Sequence, residues 1–419
     1  MSAARTIPYQ VLITAGLLLV LEGLARIAYT VHLNLAKEAE WYVLSPDVGW
    51  DRRPHFSGID DCSETRSFDG RGLVASDGAR LQQKREGQFR ALFLGDSNTY
   101  GHCLMTQETF VEVASRLLPR SASINLGMSG YTSYQGYKSL LKYGPLIDPS
   151  IVFISFNFND RRLVLQPEQA DSDAAFQRLY SSNRINHWSE VSYLFGAAKI
   201  VSNWLRPPSP GASGFMPEVR LDQVRPRVDA QGYRENLTKM VQWAKQRGIA
   251  VAFILLGDNP HQSKSLREGV KHLSEKNYEQ AIKSLTAAKD EDNSFDDEHW
   301  FSALAQLHLS KAYKGAGLHD QADRALSLTN AVMGVQGGYP IVLDTEYHAI
   351  MKEVAAEHGV PVIDAAAELS KIEGVYFDFC HFDAKGHELV GRLVAGVMKA
   401  ANSAQQRERI TPAGDPTAR

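Results

Sequence analysis

The 419-residue sequence predicts an α/β protein built on a parallel sheet. Two patterns carry that expectation. Short apolar runs rich in β-branched residues fall at Ala91–Leu94, Ala122–Leu126, Ile151–Phe156, Val251–Leu256 and Pro361–Ile363. Helical patterns separate most of them, at Thr109–Leu118, Tyr134–Tyr143, Gln231–Gln246 and Asp344–His358. Strands alternating with helices imply βαβ units, right-handed crossovers and a sheet covered on both faces. The chain is long for one domain, so a core with additions is expected. The 44% hydrophobic and 22% charged contents are ordinary for a globular protein. A formal net charge of −3 gives no electrostatic case for a nucleic-acid partner.

The first element is an N-terminal membrane anchor, assigned to residues 1–31 with its helix over 7–29. Ile7 to Leu21 carries no charge, and apolar character resumes from Gly23 to Val31. Glu22 and Arg26 are spaced to pair on one helix face, so a single transmembrane helix is the expectation. The alternatives are a cleaved signal peptide, for which no clear A-x-A site follows, and a helix lying in the membrane surface. Arg5 before the helix and Lys37 after it do not fix its orientation. Residues 32–88 then form a linker or pre-domain. They hold Trp41, Tyr42 and Trp50 and end in turn-rich sequence through Asp69-Gly70-Arg71-Gly72. That aromatic content predicts packing on the core rather than a free linker.

The core opens at Ala91-Leu92-Phe93-Leu94-Gly95-Asp96-Ser97-Asn98. An apolar run ended by a turn signal reads as a buried strand of a parallel sheet. Open α/β sheets hold their ligands outside the carboxyl ends of such strands. Ser97 is therefore predicted beside backbone N–H groups at the approach to the helix over Phe110 to Leu118, where developing negative charge is favoured. At the other end of the chain, Asp378 and His381 lie three apart in Gly374–Gly391, ahead of a helical run Leu389–Met398. A serine nucleophile needs a base, and the base an orienting carboxylate. Asp378 and His381 supply both if their loop folds back toward Ser97.

These motifs resemble the SGNH/GDSL hydrolases, whose blocks appear here in order. The first is Gly95-Asp96-Ser97-Asn98, with Asn98 where the family usually has Leu or Phe. The second is Asn125-Leu126-Gly127-Met128-Ser129-Gly130-Tyr131, and the third Asn157-Phe158-Asn159-Asp160, with Asn157 where the family usually has Gly. The last is Asp378-Phe379-Cys380-His381. The likeness covers roughly residues 88–165 and 225–400. It implies a flavodoxin-like three-layer fold and ester hydrolysis through Ser97, His381 and Asp378. It also implies an oxyanion hole from the N–H groups of Ser97 and Gly130 and the side-chain amide of Asn159. Asp96 and Asp160 are read as loop and helix caps. Anchored members of the family usually carry the enzyme outside the cytoplasm, which implies a periplasmic or extracytoplasmic catalytic domain.

The core is expected in two parts, 89–260 and 339–402, around a helical insertion over 261–338. In the insertion Leu273–Ile282 recurs as Tyr313–Asp323, with Ala281 and Ala322 aligned. This pattern is similar to tetratricopeptide helices and predicts a lid or a platform for a protein partner. The stretch Leu163–Val224, with Pro207-Pro208-Ser209-Pro210-Gly211, reads as loops and short helices over the site that set substrate choice. Residues 403–419 read as a disordered tail. Cys62, Cys103 and Cys380 are an odd count with no disulfide framework. Three unpaired thiols are the default reading, and a Cys103–Cys380 disulfide bracing the site is the alternative in an oxidising compartment. His381, Asp383 and His387 fit a loop entering a helix better than a metal-ligand set, and neither metal nor cofactor is called for.

The function expected is a serine ester hydrolase on an acyl-ester substrate, with O-acyl groups of a surface glycan as the candidate class. An O-acyltransferase shares the acyl-enzyme step and differs only in the acceptor. An assembly or scaffold protein of an envelope polysaccharide system is the non-enzymatic alternative. The presence of Ser97, Asp378 and His381 together argues against it.

Overall fold

The computed structural model describes residues 9–36, 41–82, 88–118, 121–164, 170–182, 224–261, 263–289, 298–336, 343–344 and 346–410. In chain order the first helix is α1 (Tyr9–Ala36), followed by two antiparallel hairpins, β1 (Tyr42–Ser45) with β2 (Gly49–Arg52) and β3 (Ser57–Ile59) with β4 (Thr65–Ser67). Then come α2 (Ala75–Gln82), β5 (Arg90–Gly95), α3 (Ser97–Tyr100), α4 (Phe110–Leu117), β6 (Ala122–Asn125), α5 (Ser133–Ile147) and β7 (Ile151–Ser155). After the short β8 (Leu163–Val164), α6 (Asp173–Ser182) and β9 (Arg225–Pro226), the core resumes with α7 (Ala230–Lys245) and β10 (Ala250–Leu255). The insertion holds α8 (Lys264–Ser274), α9 (Tyr278–Lys289), α10 (Glu298–Gly315) and α11 (His319–Gln336). The chain closes with α12 (Tyr347–His358), β11 (Val362–Asp364), α13 (Ala365–Leu369) and α14 (Ala384–Ile410).

The central sheet has five strands in the order β11-β10-β7-β5-β6, every neighbouring pair parallel. Counted along the chain that order is 2-1-3-4-5, the flavodoxin-like arrangement, whose topological switch point lies beside the first strand. β5 is that strand, paired with β6 on one side and β7 on the other. Its side chains alternate between two cores, as the pleat requires. Phe93 points to the face covered by α4, α14 and the insertion, where Phe110, Val390 and Leu285 are buried. Leu92 and Leu94 point to the face covered by α5, α7 and α12, where Leu140, Met240 and Met351 are buried. The sheet is thus covered on both sides, as the unbroken apolar strand sequences require.

The pre-domain packs on the second of these faces: Trp41, Phe56, Phe68 and Leu73 are buried in it. The insertion forms two helix–turn–helix units. Ala281 and Ala322, the residues aligned by the sequence repeat, are both buried. Gly269 and Gly315 are seams of close approach, since an added side chain would run into Leu285 and Tyr278.

Several expectations change. Ser97 does not stand in a loop before the Phe110 helix; it begins its own single-turn helix, α3. The C-terminal helix continues to Ile410, so residues 403–410 are helical rather than part of a disordered tail. The Pro207–Gly211 stretch lies outside the described residues. The N-terminal segment is helical and pairs Arg26 with Glu22 at 3.1 Å, but the expected transmembrane helix is not shown. Among the described residues no helix is long and apolar enough to cross a membrane. Leu17, Leu18, Leu19, Val20 and Leu24 of α1 are exposed.

Candidate active site

Backbone geometry fixes the turn at the end of β5. Gly95 has no room for a side chain, because one would collide with Thr99 and Ser155. Asp96 caps α3 by accepting the N–H of Asn98 at 3.0 Å, and Gly101 ends the turn in the left-handed region at φ 84°. Between these two residues Ser97 is raised at the carboxyl edge of the sheet. Asp96 is fully buried, and burial pushes its carboxyl up to about 6 against the pull of the Asn98 N–H and of His381.

The loop before α14 returns to the same edge. His381 Nε2 lies 2.7 Å from Ser97 Oγ, and His381 Nδ1 lies 2.5 Å from Asp378 Oδ2. The second carboxylate oxygen of Asp378 accepts the backbone N–H groups of Cys380 at 2.7 Å and His381 at 2.6 Å. Burial pulls the Asp378 carboxyl upward. The hydrogen bonds and charge of His381, with those two N–H groups, outweigh it and leave Asp378 below the usual carboxylate range. With Asp378 ionised, Nδ1–H donates to it and Nε2 is free to accept from the Ser97 hydroxyl.

Direct contacts therefore join Ser97, His381 and Asp378. Gly130 and Asn159 are brought to the same edge by topology, past β6 and β7, the two neighbours of β5. Gly130 holds φ +80°, and its carbonyl accepts from Arg227 at 2.8 Å. The Trp50 ring lies where a side chain on Gly130 would start, and the Trp50 indole N–H donates to Ser129 O at 3.1 Å. Asn159 is buried. Asn157 bridges two neighbours: its amide donates to Asp344 at 2.8 Å and its oxygen accepts from Arg161 at 2.7 Å. Arg161 is fully buried and pairs with Asp258 at 2.5 Å, so this loop is tied to the end of β10. From the residue after Asp258, the Asn259 N–H donates to Phe379 O at 2.7 Å and its amide to Asp378 O at 3.2 Å. Arg267 of α8 donates to Asn259 O at 2.6 Å.

Asp160 accepts the Ser133 N–H at 2.9 Å and its hydroxyl at 2.5 Å, so it caps α5 from a neighbouring loop. Burial pushes its carboxyl up to about 7 against those hydrogen bonds. Asp383 and His387 turn away from His381. Asp383 accepts the N–H groups of Lys385 and Gly386 at the start of α14. His387 accepts the Phe110 N–H at 3.0 Å, and burial, followed by His381, pushes its imidazole down to about 3.

The cysteines correct the sequence reading. Neither three free thiols nor a Cys103–Cys380 bond is found: Cys62 and Cys103 form the disulfide, with Cα atoms 5.0 Å apart. The β3–β4 turn carries Cys62 onto the loop after α3, a contact only the tertiary fold makes. Cys380 is free and buried, and burial pushes its thiol well above its ordinary value, which leaves it a poor nucleophile. Two further rings lie on His381, Phe377 at 5.7 Å and 13° and His102 at 4.6 Å and 39°. Neither gave a signal in the sequence, nor did Arg161 or Asn259.

No curated protein matches the chain. Among solved structures it is similar to the lipase/acylhydrolase from Enterococcus faecalis, at 16% identity over 74% of this chain and 96% of that one, with a TM-score of 0.34. A member of the lipolytic G-D-S-L family from Veillonella parvula matches at 14% identity over 74% and 98%, with a TM-score of 0.34. An acetyl xylan esterase from Geobacillus stearothermophilus matches at 13% identity over 74% and 94%, with a TM-score of 0.34. The model of the GDSL-like lipase/acylhydrolase family matches residues 93–319. That span begins inside β5 and takes in Ser97, Gly130 and Asn159, and on this match the chain belongs to the GDSL-like lipase/acylhydrolase family and is a hydrolase of ester bonds.

Proposed function

We propose that the protein is a serine esterase in which Ser97 is the nucleophile, His381 the general base and acid, and Asp378 the carboxylate that orients the imidazole. The observation that carries this reading is the unbroken hydrogen-bond chain from Ser97 Oγ through His381 to Asp378, at 2.7 and 2.5 Å. As Ser97 Oγ attacks the ester carbonyl, Nε2 takes its proton, and Asp378 stabilises the imidazolium. The tetrahedral oxyanion is held by the N–H groups of Ser97 and Gly130 and the side-chain amide of Asn159. Collapse breaks the ester C–O bond, and Nε2 returns the proton to the departing alcohol. Water, deprotonated by Nε2, then attacks the acyl-enzyme and frees the acid and Ser97. The O-acyltransferase reading differs in the last step only, where a sugar hydroxyl replaces water.

The substrate class proposed is an O-acyl ester of a surface glycan, and the site proposed is extracytoplasmic, on a chain anchored by residues 7–29. Two features favour the location. Ile7–Leu21 is charge-free, with exposed apolar side chains on α1, and the Cys62–Cys103 disulfide suits an oxidising compartment. The insertion is read as a tetratricopeptide-like piece that packs on the hydrolase. Deleting residues 262–337 tests its role: unchanged small-ester turnover with lost cellular function favours a partner platform over a lid.

A fluorophosphonate probe with mass mapping tests the mechanism. Ser97 is the residue expected to label, and Ser97→Ala is expected to lose both labelling and turnover of a small acyl ester with its circular dichroism unchanged. Labelling at another residue, or full turnover by Ser97→Ala, overturns the assignment. Release of free acid from an O-acetylated polysaccharide, as against its transfer to an added glycan, separates hydrolase from transferase.

A further inference from the structure

The β3–β4 hairpin grips the turn that carries the nucleophile. Its Cys62 is bonded to Cys103. Arg66 donates to the carbonyl of Gly101 at 2.7 Å, and its guanidinium lies 4.6 Å from the centroid of the Tyr100 ring. Asp60 accepts from Arg66 at 2.7 Å and from the Tyr100 hydroxyl at 3.4 Å. The Arg66 and Asp60 side chains are 4% and 1% exposed, so the ion pair is closed to solvent. Residues 100, 101 and 103 are thus held from outside, and residue 102 is left pointing inward.

Residue 102 is His102. Its backbone N–H donates to the Ser97 carbonyl at 3.0 Å. Its ring meets Cys62 Sγ at 3.5 Å on one edge and lies 4.6 Å from the His381 ring, centroid to centroid. Burial, and then the neighbouring His381, push the His102 imidazole below its ordinary value, against the pull of Asp61, Asp378 and Asp60. A neutral ring at this place does not oppose the positive charge that His381 acquires on deprotonating Ser97.

We propose that His102 is a positioning residue for His381: pressed onto the imidazole by the disulfide-locked hairpin, its ring holds the plane in which Nε2 faces Ser97 Oγ. The inference rests on the serine-esterase reading and gives the pre-domain a part in the reaction. A base that swings off its partner by a fraction of an ångström loses rate without losing substrate affinity. The whole side chain need only be flat to serve, so a phenyl ring is a valid substitute.

The test compares His102→Ala with His102→Phe in the full chain, using a small acetyl ester and the fluorophosphonate probe. His102→Ala is expected to lower kcat about tenfold or more with KM within about twofold, and to slow Ser97 labelling by the same factor. His102→Phe is expected to restore most of both. Wild-type rates in His102→Ala, or a Phe variant as slow as the Ala variant, overturn the proposal. A wild-type protein that neither turns over nor labels overturns the esterase reading instead. A second arm compares each protein with itself before and after reduction, so a difference in the amount of folded variant cancels. Dithiothreitol opens the Cys62–Cys103 bond to two thiols and is itself oxidised to a cyclic disulfide. If the hairpin acts through His102, reduction lowers kcat in the wild type and has little further effect in His102→Ala. An equal fractional loss in both proteins overturns that coupling.

Discussion

The chemistry of single residues separates what the sequence states from what only the fold reveals. Ser97, His381 and Asp378 are legible because each residue type has a specific use and each falls just past a strand or on a short loop. Their contact across the length of the chain is what the sheet supplies. His102, Phe377 and Arg161 were illegible for the opposite reason. A ring against a ring, or an arginine paired in the interior, has no spacing rule that marks it. Asn157 shows how a departure from a family pattern acquires a meaning: its amide bridges Arg161 and Asp344, which fixes the loop bearing Asn159. In the proposed mechanism Asn159 is the oxyanion donor whose side chain can be removed without altering the backbone. Asn159→Ala is expected to lower kcat by about a hundred- to a thousandfold, equivalent to about 2.7–4 kcal/mol, with KM little changed. Steady-state kinetics on a small ester measure this, and an unchanged kcat removes Asn159 from the oxyanion hole.

Elements were predicted well in kind and less well at their ends. The helices expected over Thr109–Leu118 and Gln231–Gln246 are found at Phe110–Leu117 and Ala230–Lys245, and the differences fall at the caps, where apolar periodicity carries no information. The single-turn helix of Ser97 was missed because four residues are too short to show a period. The disulfide was missed because sequence spacing does not report which loops meet. Capping gives a measurable consequence at α5. The Asp160 carboxyl, raised from 3.8 to about 7, binds its proton more tightly in the folded chain than in the unfolded one. Its contribution to stability is therefore full below about pH 4 and is lost as pH rises through 7. His387, held down to about 3, acts in the other direction: its contribution is full above the ordinary histidine value and is lost as pH falls toward 3. Asp160→Asn keeps an acceptor for Ser133 and removes the titration. Its melting temperature is expected to fall less than that of the wild type between pH 5 and pH 8. Equal falls in the two proteins, followed by calorimetry, assign the slope to other groups such as Asp77, also raised to about 7 by burial.

For the molecule as a whole, the parallel sheet and its additions were readable because a strand buried on both faces writes itself as a continuous apolar run. The strand order followed only from the family resemblance, which implies a flavodoxin-like fold; the apolar pattern does not report it, because it depends on which strand each helix passes over. Nor was the role of the pre-domain, which emerges only when its hairpins are seated against β5 and the turn beyond it. The proposed topology carries a test at this scale. With the hydrolase outside the cytoplasm, protease added to intact spheroplasts is expected to digest the core and leave only a short N-terminal fragment. Protection of the core from the protease overturns the location. The insertion enters after β10 and leaves before β11, so the edge pair of Phe253 with Val362 closes across all of it. The wide separation of nucleophile and base along the polypeptide has a consequence for biogenesis. In the proposed roles of Ser97 and His381, the hydroxyl leaves the ribosome 284 residues ahead of its imidazole, so no proton relay exists until that whole stretch has been made. On those roles, a product terminated before residue 381 is inert toward the acyl groups it meets.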